Sequence, residues 1–148
     1  FLSEPFVYGR DYYAGRLPTR AWRAWMPFEV TPRAPVYSGP VVVIMETVNM
    51  SSAEQFLIAL VDSGRVKTVG RPTGGASGNP VVFRLPGDHN VRFSTTDFHR
   101  NDGTPIEGVG LTPDVEDTWT VEDLRQGRDP DVETAEQLLL EILAQQRP

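Results

Sequence analysis

The chain has 148 residues, a formal net charge of −6 and no cysteine. With 39% hydrophobic and 23% charged residues it has the composition of a single globular domain rather than of a disordered or fibrous chain. The acidic balance disfavours nucleic acid as a ligand and the missing thiols exclude disulfides, a thiol nucleophile and Cys-ligated metal. No apolar run approaches the roughly 20 residues of a membrane-spanning helix.

Residues 1–38 are rich in proline and in aromatic residues such as Phe6, Tyr8, Tyr12, Tyr13, Trp22, Trp25, Phe28 and Tyr37. Alternation in Phe6-Val7-Tyr8-Gly9-Arg10 suggests one short strand. The rest reads as an irregular segment packed against the same domain, because flexible linkers lack this much aromatic surface. From Gly39 the signals sharpen. The β-branched run Val41-Val42-Val43-Ile44-Met45 predicts a central strand buried on both faces. Ser51 to Gly64 predicts a helix, with Ala53, Phe56, Leu57, Leu60 and Val61 at helical spacing and Gly64 ending it.

Arg65 to Gly70 predicts the next strand, followed by the glycine-rich loop Arg71 to Pro80, whose bare backbone at Gly74 and Gly75 could approach a ligand. Val81–Leu85 and Asn90–Phe98 read as a β pair across Pro86-Gly87-Asp88. Beyond Thr112-Pro113-Asp114 the chain turns polar. Asp129-Pro130 then opens a terminal helix whose apolar face is Val132, Ala135, Leu138, Leu139, Ile142 and Leu143. Strands alternating with helices predict an α/β fold. The stripe on the last helix could dock a partner, although core packing is the commoner use.

The segment with most chemical content is Glu46 to Glu54, where a strand turns into a helix at a serine. A hydroxyl beside the free N–H groups and positive end of a helix N-terminus suits a nucleophile, since the same groups stabilise an oxyanion. Ser51-x-x-Glu54 is equally the pattern of a capping box, in which both side chains satisfy first-turn amides. Both readings stand on the residues alone. His89 and His99 lie ten residues apart without a metal-binding pattern, so no metal or other cofactor is expected. The loop Gly74-Gly75-Ala76-Ser77-Gly78 lacks the Gly-Lys-Ser/Thr end of a phosphate-binding loop.

In order and spacing, several blocks resemble the C-terminal processing (tail-specific) serine peptidases, in particular the branch of the tricorn core protease. They are Ser51-Ser52-Ala53-Glu54, Val69-Gly70-Arg71-Pro72-Thr73-Gly74-Gly75, Leu85-Pro86-Gly87, Asp102-Gly103, and Gly108-Val109-Gly110-Leu111-Thr112-Pro113-Asp114. The resemblance covers about residues 39 to 116. It implies a crotonase/ClpP-like layered β-sheet with flanking helices, present as an incomplete domain whose residues 39–148 form the C-terminal portion of the catalytic domain. It implies Ser51 as nucleophile, the Ser52 backbone N–H as an oxyanion donor, Glu107 as the acid of a Ser–His–Glu system, and Gly74 and Gly75 beside the substrate.

Many members of the family use a serine–lysine dyad, but Ala76 stands at about the lysine's position, and the sole lysine, Lys67, falls inside a strand. Neither histidine fits the family position. An upstream Gly-Gly segment that supplies a second oxyanion donor has no counterpart. The resemblance therefore implies a fragment of a serine endopeptidase, its general base supplied by the upstream part of the same catalytic domain. Its substrates would be unstructured peptides or protein C-termini, with no nucleic acid and no membrane insertion. A chain opening on Phe1 without Met is expected to be processed or cut, which leaves compartment open. Family likeness suggests a bacterial extracytoplasmic setting, whereas tricorn-type members are cytosolic. Loss of the lysine keeps a second reading alive, a catalytically silent peptide- or small-ligand-binding relative; a third is an assembly module.

Overall fold

The computed structural model describes residues 1–14 and 22–146, with the backbone alone at 14 and 22–26. The first two strands, β1 (Phe6–Ala14) and β2 (Trp22–Val30), pair antiparallel, and β1 also pairs antiparallel with a later strand, β7 (Thr96–Arg100). The short strand expected at Phe6–Arg10 is the first part of β1, whereas the irregular reading of the rest of residues 1–38 is corrected by the longer β1 and by β2; residues 15–21 lie outside the described residues. Two register shifts interrupt the β1–β2 ladder, between Val7 and Gly9 and between Arg10 and Tyr12. Such bulges break the period-2 alternation by which a strand is recognised in sequence.

A second sheet is parallel. Strand β3 (Val42–Met45) leads into helix α1 (Ser52–Asp62), which crosses back to β4 (Lys67–Gly70), and β4 pairs on its other side with the short β8 (Val115–Glu116). The expected strand at Val41–Met45 is therefore present, but it stands at the sheet's edge, and Ile44 is 41% exposed. A β-branched run reports strand propensity. How many neighbours the strand acquires is a non-local matter.

The expected pair 81–85 with 90–98 divides in two. Strands β5 (Val81–Leu85) and β6 (His89–Phe93) form an exposed hairpin, and the chain then enters β7 separately. The break occurs because the Thr95 and Thr96 N–H groups both donate to Gly78 O, at 2.8 and 3.1 Å. That leaves no ladder between residues 93 and 96. The helix α2 (Val121–Gln126) was not expected, although Thr120 caps it through Asp123 and Gly127 closes it in the left-handed region at φ 66°. The terminal helix α3 (Pro130–Gln145) forms as expected, capped by Asp129, and packs on β3 and β4.

Met45, Leu57, Ile58, Phe98, Ile106 and Leu111 form the core, with Tyr8, Phe28 and Val43 packed against it. Residues from β3, α1, β7 and the 106–111 segment thus meet between the two sheets. The result is a mixed α/β fold of small sheets and helices.

Asp114 ties the 111–116 segment to β4. Its carboxylate accepts from Lys67 Nζ, Thr68 N and Thr68 Oγ1, each at 2.9 Å, while its own N–H donates to Thr68 Oγ1 at 2.8 Å. Burial pushes the Asp114 carboxyl up, but the bonds from Lys67 and Thr68 outweigh it and hold the group below its ordinary value. A carboxylate with a depressed folded-state pKa adds stability above its unfolded pKa, and that stability is lost as pH falls through the folded value. Asp114→Ala is expected to cost about 1–3 kcal/mol, because it strands the buried Thr68 donors. It should also flatten the acid limb of a Tm-against-pH curve; an unchanged acid limb would assign that stability elsewhere.

Candidate active site

The turn from β3 into α1 places Ser51 at the helix N-cap with φ 57° and ψ −123°. A non-glycine residue there costs on the order of 1–3 kcal/mol, and strain of this size persists only where the surroundings over-determine it. Two carbonyl-type acceptors do so: the Ser51 N–H donates to Ala76 O at 2.7 Å and to Glu54 Oε2 at 3.1 Å. The outline of the capping box is present, yet the Ser51 hydroxyl makes no side-chain cap bond. Both halves of the Ser51-x-x-Glu54 box are thus laid out, the Glu54 half as a full hydrogen bond and the Ser51 half as a looser approach to the Glu54 backbone, which leaves the serine hydroxyl without a strong cap bond. Ser52 follows as the first residue of α1, where an N–H has no intrahelical acceptor.

Glu54 does far more than cap. It is fully buried, and besides Ser51 its carboxylate accepts from Thr73 Oγ1 at 2.6 Å, Gly75 N at 2.8 Å and Ala76 N at 3.0 Å. Each oxygen takes two donors, which fills the roughly four lone-pair sites of a carboxylate. Thr73 Oγ1 in turn accepts from Leu111 N at 2.8 Å. Gly75, at φ 65°, also accepts through its carbonyl from Gly108 N at 2.7 Å, and a Cβ there would lie 2.9 Å from the nitrogens of both Val109 and Gly110. One glutamate thus fixes the helix start, the glycine loop and, through Thr73, the 108–111 segment.

Ser51 lines an open cleft of about 470 Å³ together with Met50, Ala76, Gly78, Pro80, Arg92, Phe93, Ser94 and Glu107. Glu107 is an exposed side chain whose Oε2 accepts from Ser77 N at 2.8 Å. The structure thus brings Ser51 and Glu107 to one cavity although 56 positions of sequence separate them. Gly74 and Gly75 are not among the lining residues: the Gly74 N–H donates to Asn49 O at 2.9 Å and Gly75 is spent on Glu54. Their neighbours Ala76 and Gly78 form the wall instead.

No histidine or lysine lines this cleft among the described residues. His99 bonds through Nε2 to Asp97 at 2.8 Å and lies against Tyr12 with ring centroids 4.7 Å apart, within the β1–β7 sheet. Lys67 is paired with Asp114, and His89 opens β6 in the exposed hairpin. Among the described residues no group of three or more His, Asp or Glu could hold a metal ion, and no helix is long and apolar enough to cross a membrane.

The model of peptidase family S41 matches residues 8–117, about three quarters of the chain. The chain belongs to peptidase family S41. A carboxy-terminal-processing protease of Bartonella bacilliformis is 28% identical over 76 residues, which are 51% of this chain and 18% of that protein. A crystallised candidate peptidase from Parabacteroides merdae superposes with a TM-score of 0.83 at 29% identity, covering 95% of this chain and 44% of that one. The fold is shared with tricorn protease as well, at a TM-score of 0.55 and 24% identity over 74% of this chain and 12% of that one. The S41 chain described here thus spans less than half the length of these relatives. The S41 match also takes in β1 and β2, ahead of the 39–116 range over which the sequence blocks carry the resemblance.

Two features of this S41 site escaped the sequence. Glu54 was legible as a cap, but its bonds to residues 73–76 depend on a loop 19 to 22 positions away. Arg92 and Phe93 carry no motif; the bonds from Thr95 and Thr96 to Gly78 draw the end of β6 toward Ser51.

Proposed function

We propose that this chain carries the nucleophile of a serine endopeptidase, with Ser51 attacking the scissile carbonyl. The observation that carries the reading is the strained Ser51 at a helix N-terminus, its hydroxyl without a full cap hydrogen bond, lining the same cleft as Glu107. In the first step Ser51 Oγ bonds to the carbonyl carbon while a general base takes its proton, and the backbone N–H of Ser52 stabilises the oxyanion. Collapse expels the amine, which takes up that proton, and leaves an acyl-enzyme that water hydrolyses.

Glu107 is the acid that orients the base. The cleft as described has no histidine or lysine, so the base comes from a part of the polypeptide outside this chain, consistent with the larger size of the relatives. In this reading the layers follow the crotonase-like plan, residues 39–148 are the C-terminal portion of the catalytic domain, and Gly74 and Gly75 act on substrate through the wall at Ala76 and Gly78. Unstructured peptides and protein C-termini are the substrates.

A second reading, a peptide-binding relative without catalysis, is favoured by Ala76 standing where many members of the family have lysine. Fluorophosphonate labelling separates the two, because the probe phosphonylates an activated serine. We expect an adduct on Ser51, located by mass spectrometry, in the natural polypeptide that contains this chain, at least about 100-fold slower in the isolated chain, where the base contribution is missing. No adduct in either folded protein would favour the binding module.

A further inference from the structure

The Ser51 cleft holds one arginine and one carboxylate that are not paired with each other. In a chain of net charge −6 the arginines that support the fold are each bound: Arg65 to the Phe1, Tyr37 and Gly39 carbonyls, Arg71 to Glu46 and Asp131, and Arg100 to Asp62. The Arg92 side chain has no ion pair or hydrogen bond to any described residue, which it shares with the exposed Arg33 and Arg84, but of these three it alone lines the Ser51 cleft. Glu107, in the same cleft, is engaged with Ser77 N and forms no ion pair with it.

The hairpin explains why Arg92 is presented in this way. Directly opposed residues share a face, so Val81, Phe83, Leu85, Val91 and Phe93 lie on one face, and Arg92 lies opposite Val82 on the other. Phe93 and Phe83 stack at 5.4 Å with parallel rings. Arg92 and Phe93 nevertheless both reach the cleft, at the end of β6 that Gly78 holds close to the loop. The result is a planar, always-charged fork beside the apolar walls of Met50, Pro80 and Phe93. A guanidinium in such surroundings is weakly hydrated and matches a carboxylate bidentately.

We propose that Arg92 sets the substrate preference of this cleft by pairing with a carboxylate of the bound peptide. That carboxylate is either the free C-terminus or an Asp or Glu side chain close to the scissile bond. The proposal rests on the Ser51 reading and adds the class of substrate: peptides with a negative group within reach of an apolar side chain held against Met50 and Phe93.

The test uses the natural polypeptide that contains this chain, in the Ser51→Ala form for binding and the unmodified form for cleavage. Each peptide is made in matched forms: free acid and C-terminal amide, and internal Asp or Glu against Asn or Gln. Fluorescence anisotropy and kcat/KM are read for the protein with Arg92, with Arg92→Gln and with Arg92→Glu. Arg92 is exposed on a two-stranded hairpin, and circular dichroism checks that both variants keep the fold.

The expected result is a preference for the carboxylate form of about 10- to 100-fold with Arg92, collapsing to about one with Arg92→Gln and reversing toward the neutral or basic form with Arg92→Glu. Preference lost on amidation assigns the C-terminus, and preference lost on Asp→Asn or Glu→Gln assigns the side chain. Equal handling of carboxylate and neutral forms in the presence of Arg92 overturns the proposal, as does an equal loss of both in Arg92→Gln. Failure of the two readings is distinguishable. Ser51 labelling without a carboxylate preference overturns Arg92 alone, whereas Arg92-dependent peptide binding without labelling overturns the catalytic reading and leaves carboxylate capture standing. Absence of both overturns both.

Discussion

Alanine in place of Ser51 is expected to lower peptide hydrolysis by the natural polypeptide about 10⁶-fold, the size of effect seen when the nucleophile of a serine protease is removed. The backbone conformation at this residue makes the prediction sharper. At φ 57° and ψ −123° alanine suffers the same steric cost as serine, so Ser51→Ala should leave stability close to that of the parent. Glycine adopts this conformation freely. Ser51→Gly should therefore be as inactive as Ser51→Ala yet more stable, by about 1 kcal/mol after the greater freedom of glycine in the unfolded chain is offset. Urea denaturation of both variants, with peptide cleavage in parallel, measures the two quantities. A Ser51→Gly protein that is inactive and more stable shows strain retained for chemistry. Full activity in either variant would remove Ser51 from the reaction.

The second large effect is expected at Glu54, and it concerns the frame rather than the reacting atoms. Glu54→Gln keeps the shape of the side chain but turns one of its two accepting oxygens into a donor. Two of four donors, whether Thr73 Oγ1 and Gly75 N or Ser51 N and Ala76 N, would then face an NH₂ group. Each buried donor left unsatisfied costs about 1–3 kcal/mol, so the loss should reach about 3 kcal/mol or more, visible as a lower urea midpoint at unchanged slope. Because Ala76 O also holds the Ser51 N–H, displacement of the loop should slow fluorophosphonate labelling of Ser51 as well. Glu54→Gln with parental stability and parental labelling would mean that the loop is held by other bonds.

These two residues show how far the site could be read in one dimension. Ser51 and Glu54 are three positions apart, so the pattern Ser-x-x-Glu was legible as a helix start. It could not separate a satisfied cap from an exposed hydroxyl. The deciding facts are the torsion angles at Ser51 and the four bonds to Glu54, and both depend on the loop at 73–76. Glu107 was reached through the Gly-x-Gly-x-x-Pro-Asp signature, and the structure adds that it shares a cleft with Ser51. Asp114, the last residue of that signature, anchors β4 through Lys67 and Thr68. That also accounts for the lone lysine.

The elements followed the same division. The strand at Val42–Met45, helix α1, strand β4 and helix α3 were legible because their hydrophobic periodicity and their caps are local properties of the chain. Of β1 only the start at Phe6–Arg10 was legible, and β2 was not, because two bulges disturb the alternation and the partners of β1 include β7, more than eighty residues away. The edge position of β3 was hidden for a similar reason, since strand order is set by pairings that no single stretch of sequence encodes.

By itself, then, the sequence determined the α/β class, the strand-to-helix turn at Ser51 and the absence of thiol chemistry, all of which follow from residue type and short-range spacing. The tertiary structure alone decided that Glu54 ties helix to loop, that Arg92 and Phe93 stand beside Ser51, and that neither histidine does. Those are outcomes of chain crossings and hydrogen bonds between segments distant in sequence, whose energies depend on which donors and acceptors burial brings together.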